Sequence, residues 1–224
     1  MNRKLVWIVP LAVFLVLPSG SVPAGDWKVG LRVVGVAPND DSGLISLTGA
    51  GITVDSDIVP AVDLAYKFHD NWGVELSGTT TQHGLGLAGG LLEGSTAGSV
   101  KTRLPTLTLQ YYSNPKSTLS FIGFDLARFY AGLGVNVTDF YSFDLSSDLE
   151  GLGISDIVFD DSWGVTGQVG LDVDINGRWV WNIDVKYLEI STEADLRLAT
   201  GESFDVVDLD IDPWVIGAGV AYRF

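Results

Sequence analysis

The chain ends with Asp212-Pro213-Trp214-Val215-Ile216-Gly217-Ala218-Gly219-Val220-Ala221-Tyr222-Arg223-Phe224, a stretch that alternates between two kinds of side chain. From Trp214 onward the even positions are mostly large and apolar, whereas the odd positions are small or polar. Successive side chains of a strand point to opposite faces, so one face is apolar and the other suits a narrow interior. Aromatic residues at the end of such a strand suit the boundary between hydrocarbon and water. The stretch therefore predicts a membrane-spanning strand of a β-barrel.

The N-terminal residues have the pattern of a secretory signal peptide. Arg3 and Lys4 precede an apolar stretch, residues 5–17, and small residues continue to Ala24. As a helix, the apolar stretch is too short to cross a hydrocarbon core of about 30 Å. We predict that residues 1–24 are the signal peptide and that residues 25–224 form one domain.

Composition excludes several classes of protein. The net charge of the chain is −15, and removal of residues 1–24, which contain two basic residues and no acidic one, makes it −17. No basic cluster follows, so we expect no binding to nucleic acid. The chain has no cysteine, which excludes disulfides and thiolate metal sites, and we predict no cofactor. Beyond the predicted signal peptide no stretch of about twenty apolar residues occurs, which excludes helical spans and favours strands.

Period-two patterns predict an all-β fold, an eight-stranded antiparallel transmembrane β-barrel of the bacterial outer membrane. The predicted strands cover residues 27–38, 57–68, 72–83, 101–112, 127–139, 162–175, 178–194 and 206–224. Tight turns are predicted at residues 69–71 and 176–178. Long loops are predicted at the other end, at residues 39–56, 84–100, 140–161 and 195–205. This asymmetry between the two ends is typical of outer-membrane barrels.

The same alternation assigns polar side chains to the lumen. An eight-stranded barrel is just wide enough for side chains or one small ligand, so polar side chains should fill most of the lumen. The predicted lumen network consists of Arg32, Asp63, Glu75, Arg128, Gln168, Asp172, Asp184 and Lys186. We expect ion pairs across the barrel that plug the half near the short turns. A selective polar passage is the alternative.

Several motifs resemble one known family. Asp161-Ser162-Trp163-Gly164 with Gly167-Gln168-Val169-Gly170, Asp212-Pro213-Trp214-Val215 and the final Ala221-Tyr222-Arg223-Phe224 are similar to motifs of the OmpW family of outer-membrane proteins. Asp70-Asn71-Trp72-Gly73-Val74-Glu75-Leu76, Leu104-Pro105-Thr106-Leu107 and Asp184-Val185-Lys186-Tyr187 occur in that family's order, so the resemblance covers residues 27–224. It implies an eight-stranded barrel with a narrow, partly hydrophobic channel. The proposed role of such a channel is uptake of small hydrophobic molecules, as the related AlkL proteins do for alkanes.

Leucines in two of the predicted loops are candidates for an apolar entrance. Leu85, Leu87, Leu91 and Leu92 stand among glycines, and they would line a flexible hydrophobic mouth. The alternative is that these leucines continue the strands or pack against other loops. Leu145, Leu149 and Leu152 have spacings that permit a short amphipathic helix, whose apolar side would cap the mouth.

A polar midsection favours sideways exit of a substrate into the membrane. Pro60 and Pro105 lie within predicted strands, where each removes a donor from the backbone ladder and weakens strand pairing. They mark either an opening between strands or, alternatively, a bulge.

Two other functions are alternatives to transport. The first is a receptor for a phage or bacteriocin, or a structural protein of the cell envelope, whose acidic loops contact lipopolysaccharide or hold divalent cations. The relevant residues are Asp40, Asp41, Asp55, Asp57, Asp144, Asp148, Asp160 and Asp161, but their spacing matches no compact calcium loop, so we predict no metal site. The second is an enzyme acting on lipids, for which His83 is the candidate base. Serines and threonines occur near His83, but a Ser and His pair without further context is weak evidence, so we predict no catalytic residues and no enzyme.

The segment between the fourth and fifth predicted strands departs from the family pattern. Residues 113–126 form a long turn that is unusually apolar for the periplasmic side. Either the adjacent strands extend into it, or it lies against the inner leaflet.

Overall fold

The computed structural model describes residues 26–39, 41–45, 48–113, 127–151 and 153–224. The predicted signal peptide and residues 114–126 of the apolar turn lie outside the described residues. None of the described helices is long and apolar enough to cross a bilayer.

The described residues form fourteen strands and two short helical turns. The strands are β1 (Asp26–Ala37), β2 (Asp41–Ser42), β3 (Gly51–Val54), β4 (Asp57–His69), β5 (Trp72–Ala88), β6 (Thr96–Arg103), β7 (Thr106–Tyr112), β8 (Ala127–Leu145), β9 (Ile154–Phe159), β10 (Ser162–Asp174), β11 (Trp179–Leu188), β12 (Ser191–Leu198), β13 (Ser203–Asp210) and β14 (Trp214–Arg223). A 3₁₀ turn covers Gly90–Leu92, and the α-helix α1 covers Ser147–Glu150.

Eight of these strands pair in a closed antiparallel ring. The order around the ring is β1, β4, β5, β7, β8, β10, β11 and β14, and β14 pairs again with β1. The prediction of an eight-stranded antiparallel barrel is thereby confirmed. Closure leaves no edge strand in the wall, as a membrane requires.

The predicted long loops are largely strands, which corrects the sequence-based boundaries. Strand β6 lies between β5 and β8, in line with β7, and Leu104 and Pro105 separate the two strands. Strands β2, β13, β12 and β9 form a separate four-stranded sheet, and β3 pairs with the end of β5. A span needs only about 9–11 residues per strand, so β5 with 17 residues and β8 with 19 extend past the membrane.

Two turns at the opposite end, residues 70–71 and 175–178, are short, and local side chains stabilise the second of them. Between β10 and β11, Gly177 adopts a positive φ of 80°, which glycine does without steric cost. The Asn176 side chain accepts hydrogen bonds from the backbone N–H groups of Arg178 (3.3 Å) and Trp179 (3.0 Å). This end is called the short-turn end below, and the opposite end is called the long-loop end.

The outer surface of the ring carries the apolar faces that the alternation predicts. On β10, Trp163 is 76% exposed, and Val165 and Val169 are also exposed. On β14, the exposed set includes Trp214 and Ile216. Each of these apolar residues alternates with inward-facing neighbours, so the wall has a continuous apolar exterior.

Candidate functional site in the barrel interior

Near the short-turn end the lumen contains a cluster of paired charges centred on Arg32. The guanidinium of Arg32 lies 2.9 Å from Asp63 Oδ1, 2.6 Å from Asp184 Oδ2 and 3.6 Å from Glu75 Oε1. Lys186 Nζ lies 2.9 Å from the same oxygen of Glu75. All five side chains are buried. Removing one member of a buried ion pair leaves the other uncompensated, which costs about 3–5 kcal/mol.

Gln168 connects this group of charges to the opposite wall. Its Nε2 donates to Asp184 Oδ2 (2.8 Å) and Glu75 Oε1 (3.2 Å). Its Oε1 accepts from Thr108 Oγ1 (3.1 Å) and Gln110 Nε2 (3.2 Å). The cluster therefore spans the lumen from β10 to β5 and β7.

A second ion pair closes the lumen nearer the short turns. Lys28 Nζ lies 2.6 Å from Asp172 Oδ2, and Asn182 Nδ2 donates to Asp172 Oδ1 (2.7 Å) and to Tyr130 Oη (2.9 Å). The term charged plug is used below for Lys28, Arg32, Asp63, Glu75, Gln168, Asp172, Asp184 and Lys186.

Seven of the eight residues predicted for the lumen network lie in the charged plug, and Arg128 does not. Arg128 stands beside Asp172 in the β8–β10 register, but its side chain is only half-buried. Its Nε has no hydrogen-bond partner in the part of the chain that the structure describes. Lys28 belongs to the plug but was missing from the prediction.

Small residues on the inner face of β14 make room for the plug. A Cβ on Gly217 would lie 2.6 Å from Asp184 Oδ1, and one on Gly219 would lie 2.6 Å from Arg32 Cγ. A larger residue at either position would displace a paired charge.

Toward the long-loop end the interior is apolar. The term apolar chamber is used below for the buried side chains there, which include Val34, Val36, Val54, Leu85, Val100, Leu104, Phe159, Leu188, Ile190, Leu209, Ile211 and Val215. Most of them line a cavity of about 20 Å³, roughly the space for one water molecule. A guest larger than a water molecule must therefore displace side chains to enter the chamber.

The candidate leucines fall into different environments. Leu85 and Leu87 lie on β5, not in a flexible loop, and both are buried in the apolar chamber. The loop that follows is only residues 89–95, where Leu91 is 85% exposed and Leu92 packs against the buried cluster.

Two leucines of the third long segment, Leu145 and Leu149, lie close to or within a single helical turn. Leu149 is buried on α1, whose N-cap residue Ser146 accepts a hydrogen bond from the Leu149 backbone N–H. Leu145 ends β8 and packs against the buried cluster, and Leu152 lies outside the described residues.

The plug and the chamber meet at a second small cavity of about 30 Å³. Its lining combines plug residues Arg32, Asp184 and Lys186 with chamber residues such as Leu104 and Leu188. The remaining lining includes Ser77, Gly78 and Thr79 of β5. This junction cavity therefore lies directly inside one section of the wall.

Ladder pairing of β5 is interrupted on both sides close to this section of wall, at neighbouring positions along the strand. In residues 48–113, all of which the structure describes, the β4–β5 register ends at the pair Ala61 and Thr79. Pro60 is next along β4; it has no N–H to donate, and its carbonyl accepts instead from Thr79 Oγ1 (2.8 Å).

On the other side of β5 the ladder is interrupted at Pro105. The β5–β7 pairs end at Ser77 and Thr106, and the β5–β6 pairs begin at Thr80 and Arg103. Between them one backbone hydrogen bond remains, from Leu104 N to Thr79 O (3.0 Å). The breaks beside the two prolines thus lie about two residues apart along β5. The Pro105 carbonyl accepts from Val137 N (3.1 Å), so the donor that Pro105 lacks faces β8.

Alternation alone predicted polar side chains in most of the lumen, so the apolar chamber was not predicted from the sequence. The signal was present as strand ends in which both faces are apolar. Val33, Val34 and Val36 form one such run, and Leu188 and Ile190 lie on the inner face at the end of β11 and just beyond it. An inner face that changes from charged to apolar marks the boundary between plug and chamber.

The comparisons with known proteins agree on one family. The model of the OmpW family matches residues 23–224. The chain belongs to the OmpW family. It is 33% identical to outer membrane protein W of Vibrio cholerae serotype O1, across 97% of this chain and 98% of the relative. The chain is therefore a protein of the bacterial outer membrane, with its short turns on the periplasmic side.

Solved structures support the same fold. The crystal structure of OprG from Pseudomonas aeruginosa has a TM-score of 0.77 and 37% identity, covering 90% of this chain and 96% of that chain. The solid-state NMR structure of AlkL has a TM-score of 0.67 at 23% identity, covering 92% and 94%, and it shows a shared fold.

The acidic residues that suggested cation binding lie mostly at the extracellular end, and Asp40 lies outside the described residues. Among the residues that the structure describes, no three His, Asp or Glu side chains are grouped as a metal site. Asp195, on β12, accepts hydrogen bonds from Ser203 (2.6 Å) and Arg197 (2.8 Å), which lower its pKa. The hydrogen bond from Ser203 connects β12 to the start of β13 within the extracellular hairpin.

Proposed function

We propose that this OmpW-family barrel takes up small hydrophobic molecules. They enter the apolar chamber from the extracellular end and leave through the wall into the membrane. The observation that carries this proposal is the position of the junction cavity, above the charged plug and behind Ser77, Gly78 and Thr79 of β5. There the pairing of β5 with β6 and β7 is interrupted, and just beyond it the pairing with β4 ends. The resemblance to the family implies the same class of substrate.

The charged plug argues against an axial route for such molecules. An apolar molecule passing between Arg32, Glu75 and Asp184 would have to separate buried ion pairs without replacing their interactions. Passage through the wall breaks fewer contacts, because the ladder is already interrupted beside Pro60 and Pro105.

The outer surface supplies an apolar destination. Ile58 and Val62 flank Pro60, and Leu107 follows Pro105 by two positions; all three are exposed. In the outer membrane, such residues would contact lipid hydrocarbon, and the extracellular hairpins would contact lipopolysaccharide.

Restoring the ladder donors tests the proposal. We expect Pro60→Val with Pro105→Val to lower uptake of an apolar compound by deletion cells to below half of the unsubstituted rate. The barrel should remain folded, as judged by heat-dependent gel mobility. Pro38→Val is the matched control, because Pro38 lies outside the paired strands.

Two results would overturn the proposal. Unchanged uptake by the doubly substituted chain would exclude exit at this wall. No effect of the unsubstituted chain on uptake would favour the receptor or structural alternative, for which loss of sensitivity to a phage or bacteriocin is the readout.

A further inference from the structure

Three polar side chains line the otherwise apolar cavity of the chamber. They are His83, Thr102 and Thr138, and all three are buried. Among the residues that the structure describes, no charged side chain lines this cavity. The chamber therefore differs from a purely hydrocarbon-lined space by one imidazole and two hydroxyl groups.

Two of the three polar groups already have protein partners. Thr102 Oγ1 lies 2.6 Å from Thr81 Oγ1. His83 Nδ1 lies 2.6 Å from the backbone carbonyl oxygen of Asp55, so Nδ1 must carry the proton. In the neutral ring, Nε2 is then a hydrogen-bond acceptor.

Thr138 differs from the other threonines of the inner face. It is 2% exposed, and its hydroxyl has no hydrogen-bond partner among the described residues. The hydroxyls of five other buried inner-face threonines, in contrast, bond to protein groups, namely Thr81, Thr102, Thr106, Thr108 and Thr166. A buried hydroxyl without a partner is unfavourable, so its presence in the chamber points to a group on the guest.

We propose that the chamber selects apolar molecules that carry one neutral oxygen function, such as medium-chain alcohols, over alkanes of the same length. This inference rests on the proposed uptake function. The alcohol oxygen accepts from the Thr138 hydroxyl, and the alcohol proton has His83 Nε2 as an acceptor on the same lining. Ionised carboxylates and amines are excluded, because the lining supplies no opposite charge.

The test compares uptake of 1-octanol and n-octane by deletion cells with and without the chain. Each rate is corrected for uptake without the chain, and the quantity compared is the ratio of alcohol to alkane. The unsubstituted chain should give a ratio above one. Thr138→Val, which removes the hydroxyl but keeps the shape, should lower the ratio about fivefold, as expected for one lost hydrogen bond.

Thr138→Ser is the matched control, because it restores the hydroxyl and should keep the ratio of the unsubstituted chain. A ratio that Thr138→Val leaves unchanged would overturn the inference, as would an unsubstituted chain that does not favour the alcohol. If octane is taken up but the alcohol is not preferred, the proposed function stands and this inference fails. If neither compound is taken up faster with the chain, the proposed function itself fails.

Discussion

The two halves of the barrel interior are closed by different interactions. In the periplasmic half, Glu75 forms directed ion pairs with both Arg32 and Lys186 through one carboxylate oxygen. In the extracellular half, residues such as Leu85 and Leu209 fill the space through apolar packing, which has no directional requirement. A guest can replace apolar side-chain contacts with equivalent ones, but it cannot replace an ion pair. Under the proposed function, the plug seals the periplasmic half, whereas side chains of the extracellular half move aside to admit a guest.

The largest effect is expected from removing a charge from the plug. Glu75→Gln keeps the shape of the side chain but leaves Lys186 and Arg32 with one anion fewer. We expect the free energy of unfolding to fall by about 3–5 kcal/mol, measured by urea titration of the barrel in lipid vesicles.

The control is an ion pair on the outer surface. Arg103 and Asp139 lie 2.9 Å apart, and both side chains are at least 40% exposed. Asp139→Asn should therefore change the free energy of unfolding by less than about 1 kcal/mol. Equal effects of the two substitutions would show that the plug does not stabilise the barrel as a buried network.

A smaller effect is expected from making the chamber polar. Leu85→Gln with Leu87→Gln places two amides among apolar side chains, where a polar group without a partner costs about 1–3 kcal/mol. We expect uptake of an alkane to fall about fivefold or more, because the guest would meet the same polar groups.

Leu91→Gln is the matched control for the chamber, since Leu91 is an exposed leucine of the following loop. It should leave alkane uptake unchanged. If Leu91→Gln lowered uptake as much as the chamber substitutions, the entrance would lie in the loop, as the sequence analysis first suggested.

The sequence allowed the wall to be predicted better than the site. Alternation along β10 and β14 predicted their outward faces, because one face of each strand must contact hydrocarbon and the other must not. The same rule placed seven plug residues in the lumen. It could not place the apolar chamber, because runs such as Val33 and Val34 have apolar residues on both faces, and alternation then carries no information.

The interrupted section of wall shows a second limit of the sequence. Pro60 and Pro105 were recognised as breaks in pairing, but either could have marked a bulge. Only the strand register shows that both breaks flank β5 within about two residues of each other. That coincidence depends on the shear of the barrel, which strand lengths alone do not determine.

The most direct test of the sideways route uses single cysteines, because the natural chain has none. Cysteine would replace Leu85 in the chamber, Thr79 at the wall or Tyr112 at the periplasmic end, and intact cells would receive an apolar maleimide. Labelling rates would be divided by those of the unfolded variants. The account predicts that the cysteines at positions 85 and 79 react readily and that the cysteine at position 112 reacts much more slowly. Labelling at position 112 as fast as at position 79 would mean that apolar molecules cross the charged plug, and would contradict the account.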